Sequence, residues 1–133
     1  MKYDLQFCIG SRLRRLSRIA DGHFRRKLSE FNITENQMTI LFVLKKMGKV
    51  EQGKIGQALV LERSTVSRNI KILEKQNYIN RTSEYRPEIE LSKQGNEMVK
   101  KLIPLWEETM DELISKLGEN GLTHLTELEN SLN

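Results

Sequence analysis

Apolar residues recur at steps of three and four from Leu5 through Ile9, Leu13, Leu16, Ala20, Phe24 and Leu28 to Phe31, the spacing of one face of a long helix. Arg12, Arg14, Arg15, Arg18, Arg25 and Arg26 take much of the remaining circumference. Asn32 to Thr34 interrupt the pattern. Thr34, with Gln37 three residues later, predicts an N-cap and capping box. The helix it starts packs through Met38, Leu41, Phe42 and Leu44 and stops at Gly48. A short helix near Gln52–Leu59 follows, then a turn through Val60–Glu62 and a helix over Ser64–Gln76. In that helix Val66, Ile70 and Leu73 form an apolar stripe, while Ser64, Arg68, Lys71 and Lys75 share the opposite side.

The period then shortens. Tyr78–Thr82 and Glu88–Leu91 alternate as half-buried strands do, with Ser83–Pro87 as the hairpin tip. Pro87 has no ladder donor and suits a strand start or edge. Ser92 can cap a long helix over Ser92–Leu117, with Met98, Leu102, Leu105, Trp106, Met110, Leu113 and Leu117 on its apolar face. Pro104 should kink it and Gly118 should end it. Gly121 precedes a final helix carrying Leu122, Leu125, Leu128 and Leu132. The predicted fold is mainly α with a small β-hairpin wing: a winged helix-turn-helix plus a helical dimerisation region. The whole of 1–133 reads as a single domain, with the winged part over 34–92 and the dimerising helices over 1–33 and 93–133.

Composition removes several function classes. A single Cys and two His cannot build a four-ligand Cys/His zinc site or an intrachain disulfide. There is no apolar run of signal-peptide or membrane-span length, so a cytoplasmic protein with no membrane partner is expected. Gly48, Gly53 and Lys54 approach a phosphate-binding loop, but Ile55 stands where Ser or Thr must hold magnesium. No nucleophile–base pair or cofactor loop is visible, so neither an enzyme nor a cofactor is implied. The charge is uneven. Residues 1–94 carry 19 basic and 10 acidic side chains, and residues 95–133 carry 3 and 8, so a polyanion partner fits only the first part.

The order helix, helix, turn, helix, hairpin places Ser64–Gln76 as a rod sized for the DNA major groove. Candidate contacts to double-stranded DNA are Arg63, Ser64, Thr65, Arg68, Asn69, Lys71, Arg81 and Arg86. Ser64 and Thr65 are small hydroxyl residues. Arg68 can bind guanine bidentately and Asn69 can pair with adenine. Lys71 is suited to phosphate, and Arg81 and Arg86 flank the hairpin.

These segments, "RLRRLSRIADGHFRRKLSEFNITENQMTILFVL", "KIGQALVLERSTVSRNIKILEKQNYINR" and "EYRPEIELSKQG" with the closing amphipathic helices, resemble the multiple-antibiotic-resistance-regulator (MarR) family of bacterial transcription factors. The resemblance implies a homodimer whose two recognition helices enter the halves of a palindromic operator, most simply as a repressor. It implies Ser64, Thr65, Arg68 and Asn69 on the recognition helix and Arg86 as the wing arginine. Here Glu84-Tyr85-Arg86 stands in place of the family's Asp-x-Arg. It also implies a small aromatic effector between the first, second and fifth helices. Leu5, Ile9, Leu113, Leu117, Leu122, Leu125 and Leu128 are more apolar surface than one helix pair can hide, and a twofold dimer would bury them.

Two other readings stay open. Cys8 lies where the hydroperoxide-sensing branch of the family places a reactive thiol, so a peroxide-responsive regulator is one alternative. A winged-helix protein-interaction module that touches no DNA is the other.

Overall fold

The computed structural model describes residues 1–83 and 85–133. The predicted first helix is divided into three pieces. A 3-10 turn, Leu5–Phe7, is capped by Asp4, whose Oδ1 accepts the Gln6 N–H at 3.0 Å. Cys8 then leaves helical geometry (ψ 115°), and helix α1 runs over Ile9–Leu28. A second 3-10 turn, Ser29–Phe31, ends at Asn32, which takes φ 54°. Asparagine tolerates this left-handed region, so the chain can reverse there without a glycine.

Helix α2 spans Glu35–Met47 and starts with the predicted capping box. The Thr34 hydroxyl accepts the Gln37 N–H at 3.3 Å, and Gln37 Oε1 accepts the Thr34 N–H at 3.1 Å. Gly48 ends it with φ 76°. Strand β1 follows, Val50–Glu51, then α3 (Gln52–Leu59), α4 (Arg63–Lys75), β2 (Ile79–Arg81), β3 (Glu88–Leu91) and α5 (Lys93–Ser131). The sheet therefore has three strands rather than the two of a simple hairpin. β3 is central, pairing antiparallel with β2 through Asn80↔Glu90 and with β1 through Val50↔Ile89. Two residues are too few to show an alternating pattern, so β1 left no trace in the periodicity.

Pro104 does not break α5. The only non-helical dihedrals inside that helix are those of Gly118, at φ 68° and ψ 178°. Glycine takes this geometry without steric cost, and the helix resumes directly after it instead of beyond Gly121.

The core joins the inward faces of α2, α3, α4 and the first half of α5. Ile40, Leu41, Ile55, Ile70, Leu73, Ile89, Val99 and Leu102 are fully buried, each contributing about 1.5–3 kcal/mol if transferred from water. Trp106 meets Phe42 edge-on, ring centroids 5.6 Å apart, and so fastens α5 to α2. The apolar stripe of α1 behaves differently along its length. Leu28 is buried, but Ile9, Leu13, Leu16 and Ile19 remain exposed, because α5 reaches only part of α1. No helix is long and apolar enough to cross a membrane among the described residues.

Candidate nucleic-acid interface

Helix α4 is held by its apolar stripe. Val66, Ile70 and Leu73 are at most 2% exposed, which turns the opposite stripe outward. Ser64, Arg68, Lys71 and Lys75 are all exposed on it, each about one turn from the next. Arg63 is exposed at the first position of the helix, and Thr65 is half-buried. Arg63, Arg68 and Lys71 have no ion-pair partner among the described residues. Three cations on one helix, none ion-paired among the described residues, can receive an anionic polymer.

The turn between α3 and α4 is tight. Val60 adopts φ 54° and ψ 49°, its N–H bonding to the Gly56 carbonyl, as does that of Leu61 at 3.0 Å. Gly56 permits the close approach, since a Cβ there would stand 3.3 Å from the Leu61 carbonyl oxygen. An open cleft of about 490 Å³ lies over this turn, walled by Gly53, Gly56, Gln57, Val60 and Arg63. Its position, at α3 and α4, differs from the α1–α2–α5 site expected for an aromatic effector.

Asn69 is half-buried and bound within the protein. Its Nδ2 donates to the Thr65 carbonyl at 2.9 Å, and its Oδ1 accepts from Gln37 Nε2 at 3.2 Å. Each amide atom thus has one partner in its own protein, and pairing with adenine would draw on the remaining N–H and lone pair. Arg81 is also engaged, its Nε 3.4 Å from Glu74 Oε2, so it ties β2 to the end of α4. Arg86 and Tyr85 are exposed in the bend before β3, while Glu84, the first residue of the expected wing motif, lies outside the described residues.

The helices outside the winged part present the remaining candidates. Leu5, Ile9, Leu117, Leu125 and Leu128 are exposed, and Leu113 and Leu122 are half-buried. Phe7, Leu13, Leu16, Ile19 and Ile114 add to the same exposed apolar class. Cys8 is exposed at the N-terminal end of α1. Hydrogen bonds from the Ser11 side chain and backbone hold its thiol below the usual range, with a smaller pull from Arg14. No group of three or more His, Cys, Asp or Glu side chains is placed to hold a metal among the described residues.

The MarR family model matches residues 33–84, from the start of α2 into the wing. Over that segment the chain is similar to the MarR family. A search of curated proteins finds no sequence match. Solved structures extend the likeness over the full length. The chain superposes on BpsR of Bordetella bronchiseptica with TM-score 0.89 at 17% identity, covering 99% of this chain and 98% of that one. DNA binding by BpsR is regulated by 6-hydroxynicotinic acid. MepR of S. aureus, solved in complex with DNA, is 25% identical with TM-score 0.79, over 95% and 96% of the two chains. A MarR variant from E. coli bound to operator DNA gives TM-score 0.82 at 17% identity, over 98% and 99%. The terminal helices, outside the matched segment, therefore follow the same fold.

Proposed function

We propose that this protein is a homodimeric repressor of the MarR family that binds a twofold-symmetric operator and leaves it when a small aromatic ligand binds. The observation that carries the reading is the outward stripe of α4, with Ser64, Arg68 and Lys71 exposed and Arg63 at its start. In this reading Arg68 meets a guanine edge, Ser64 and Thr65 approach bases or phosphate, and Arg63 and Lys71 neutralise phosphates. Arg86 reaches the flanking backbone from the wing. Asn69 is assigned to the protein interior side of the helix and not to a base.

Residues 34–92 form the DNA-reading part, and 1–33 with 93–133 form the dimerising part. The exposed leucines and isoleucines of α1 and the last third of α5 support a twofold contact there. The acidic excess after residue 95 would then lie away from the duplex. Ligand release is supported by likeness to BpsR, and the Phe42–Trp106 wall offers an aromatic surface between α2 and α5.

Selection from a random duplex pool with the purified protein tests the reading. An enriched site should show twofold symmetry, with half-sites about one helical turn apart. Failure to enrich any duplex over a scrambled one of equal length would overturn it.

A further inference from the structure

We propose that Gln37 is a positioning residue for DNA recognition: through Asn69 it sets the roll of α4 about its own axis, and so decides which side chains of that helix face a duplex. This inference rests on the DNA-binding reading above.

Gln37 belongs to α2, far from the outward stripe, and is only 4% exposed. A buried amide must satisfy both its ends. Its Oε1 is committed to the Thr34 N–H at 3.1 Å, so its Nε2 is obliged to donate, and it reaches Asn69 Oδ1 at 3.2 Å. Asn69 Nδ2 must then donate in turn, and it does so to the Thr65 carbonyl at 2.9 Å. The direction of every bond in this relay follows from the first. Flipping either amide would set like groups against each other.

The apolar stripe of α4 resists lifting the helix off the core, but apolar contact is non-directional and tolerates small rotations. A hydrogen bond to a buried partner on another helix does not, because it weakens steeply with angle. Side chains that read base edges need placement within about 0.5 Å and 10–20°. Arg68 directly precedes Asn69 in the chain, so any roll permitted at Asn69 is carried outward along the Arg68 side chain. A second tether supports the first: Gln76 Nε2 donates to the Asn32 carbonyl at 3.4 Å, at the far end of α4. Both tethers end on residues 32–37, the joint where α1 gives way to α2.

The test compares affinity for a duplex selected from a random pool by the wild-type protein with affinity for a scrambled duplex of equal length. Gln37→Met removes the relay at similar volume, and Asn69→Ala removes its other member. Each should lower the ratio of the two affinities about three- to tenfold with scrambled-duplex binding unchanged. The double variant should be no worse than either single one. Thr34→Ala loses the helix cap but keeps the Gln37–Asn69 bond, so it should lower the thermal midpoint and leave the ratio intact. If Gln37→Met does not fold, Asn69→Ala still carries the comparison. An unchanged ratio in a folded relay variant, strictly additive losses, or an equal fall for both duplexes would overturn the positioning role. A wild-type protein that enriches no duplex would instead remove the DNA-binding reading itself.

Discussion

The carbonyl oxygen of Tyr78 occupies the space that a Cβ on residue 95 would need, so only glycine fits there. The same carbonyl accepts the Ser92 N–H at 3.0 Å, and the Ser92 hydroxyl accepts the Gly95 N–H at 2.9 Å. The start of α5 is thereby seated on the approach to β2. Gly95→Ala must push backbone from backbone and should cost about 1–3 kcal/mol. The check is a lower urea midpoint with an unchanged slope.

Lys27 Nζ lies 2.7 Å from Glu112 Oε1 and 3.4 Å from Glu108, joining α1 to α5. The Lys27 hydrogen bond holds the Glu112 carboxyl below the usual range, and Glu112 raises the Lys27 ammonium above its own. The carboxyl's contribution is present above its unfolded pKa and lost as pH falls through the depressed folded value. The ammonium's contribution is present below its unfolded pKa and lost as pH rises through the raised folded value. Glu112→Gln should therefore lower the thermal midpoint slightly at neutral pH. The difference from wild type should shrink in strong acid and in strong alkali. A pH-independent difference would assign the effect to packing.

Val60 is 90% exposed and sits at φ 54°, a conformation that costs a β-branched residue about 1–3 kcal/mol. Val60→Gly removes that strain and gives back about 0.4–1 kcal/mol through a freer unfolded chain. A net gain of about 1 kcal/mol is expected, read from chemical denaturation. A loss would mean that the exposed isopropyl group supplies a contact worth more than its strain.

On a selected operator, Arg68→Ala should cost about 1–3 kcal/mol and relax preference at one base pair. Lys71→Ala should weaken all duplexes evenly and reduce the salt slope by about one. Fluorescence anisotropy titrations at several salt concentrations distinguish the two. Equal loss on every sequence for Arg68→Ala would make it a phosphate contact.

Ile9→Glu and Leu125→Glu place charge on the exposed apolar faces of α1 and α5. Each should convert a dimer into a folded monomer in sedimentation experiments, with operator affinity reduced because the second half-site is no longer tethered. A wild-type protein that sediments as a monomer at micromolar concentration would remove the twofold contact.

The elements legible beforehand were those with a local physical cause. The capping box at Thr34 and Gln37, the stop at Gly48, the Ser92 cap and the α4 stripes each depend on residues within about three turns of one another. Pro104 shows the limit of such reading, because the backbone around it keeps helical dihedrals while the non-helical residue of α5 is Gly118. β1 shows another limit, since its two residues acquire strand geometry only by meeting Ile89 and Glu88.

Sequence alone settled the periodicity, the charge asymmetry and the cationic side of Ser64–Gln76, since all of these are properties of neighbouring residues. Only the tertiary structure decided what those side chains do. Gln37 and Asn69 are 32 positions apart, and Arg81 meets Glu74 across an element boundary. Hydrogen bonds and ion pairs depend on distance in space, and no spacing along the chain encodes that until the apolar faces have brought the helices together.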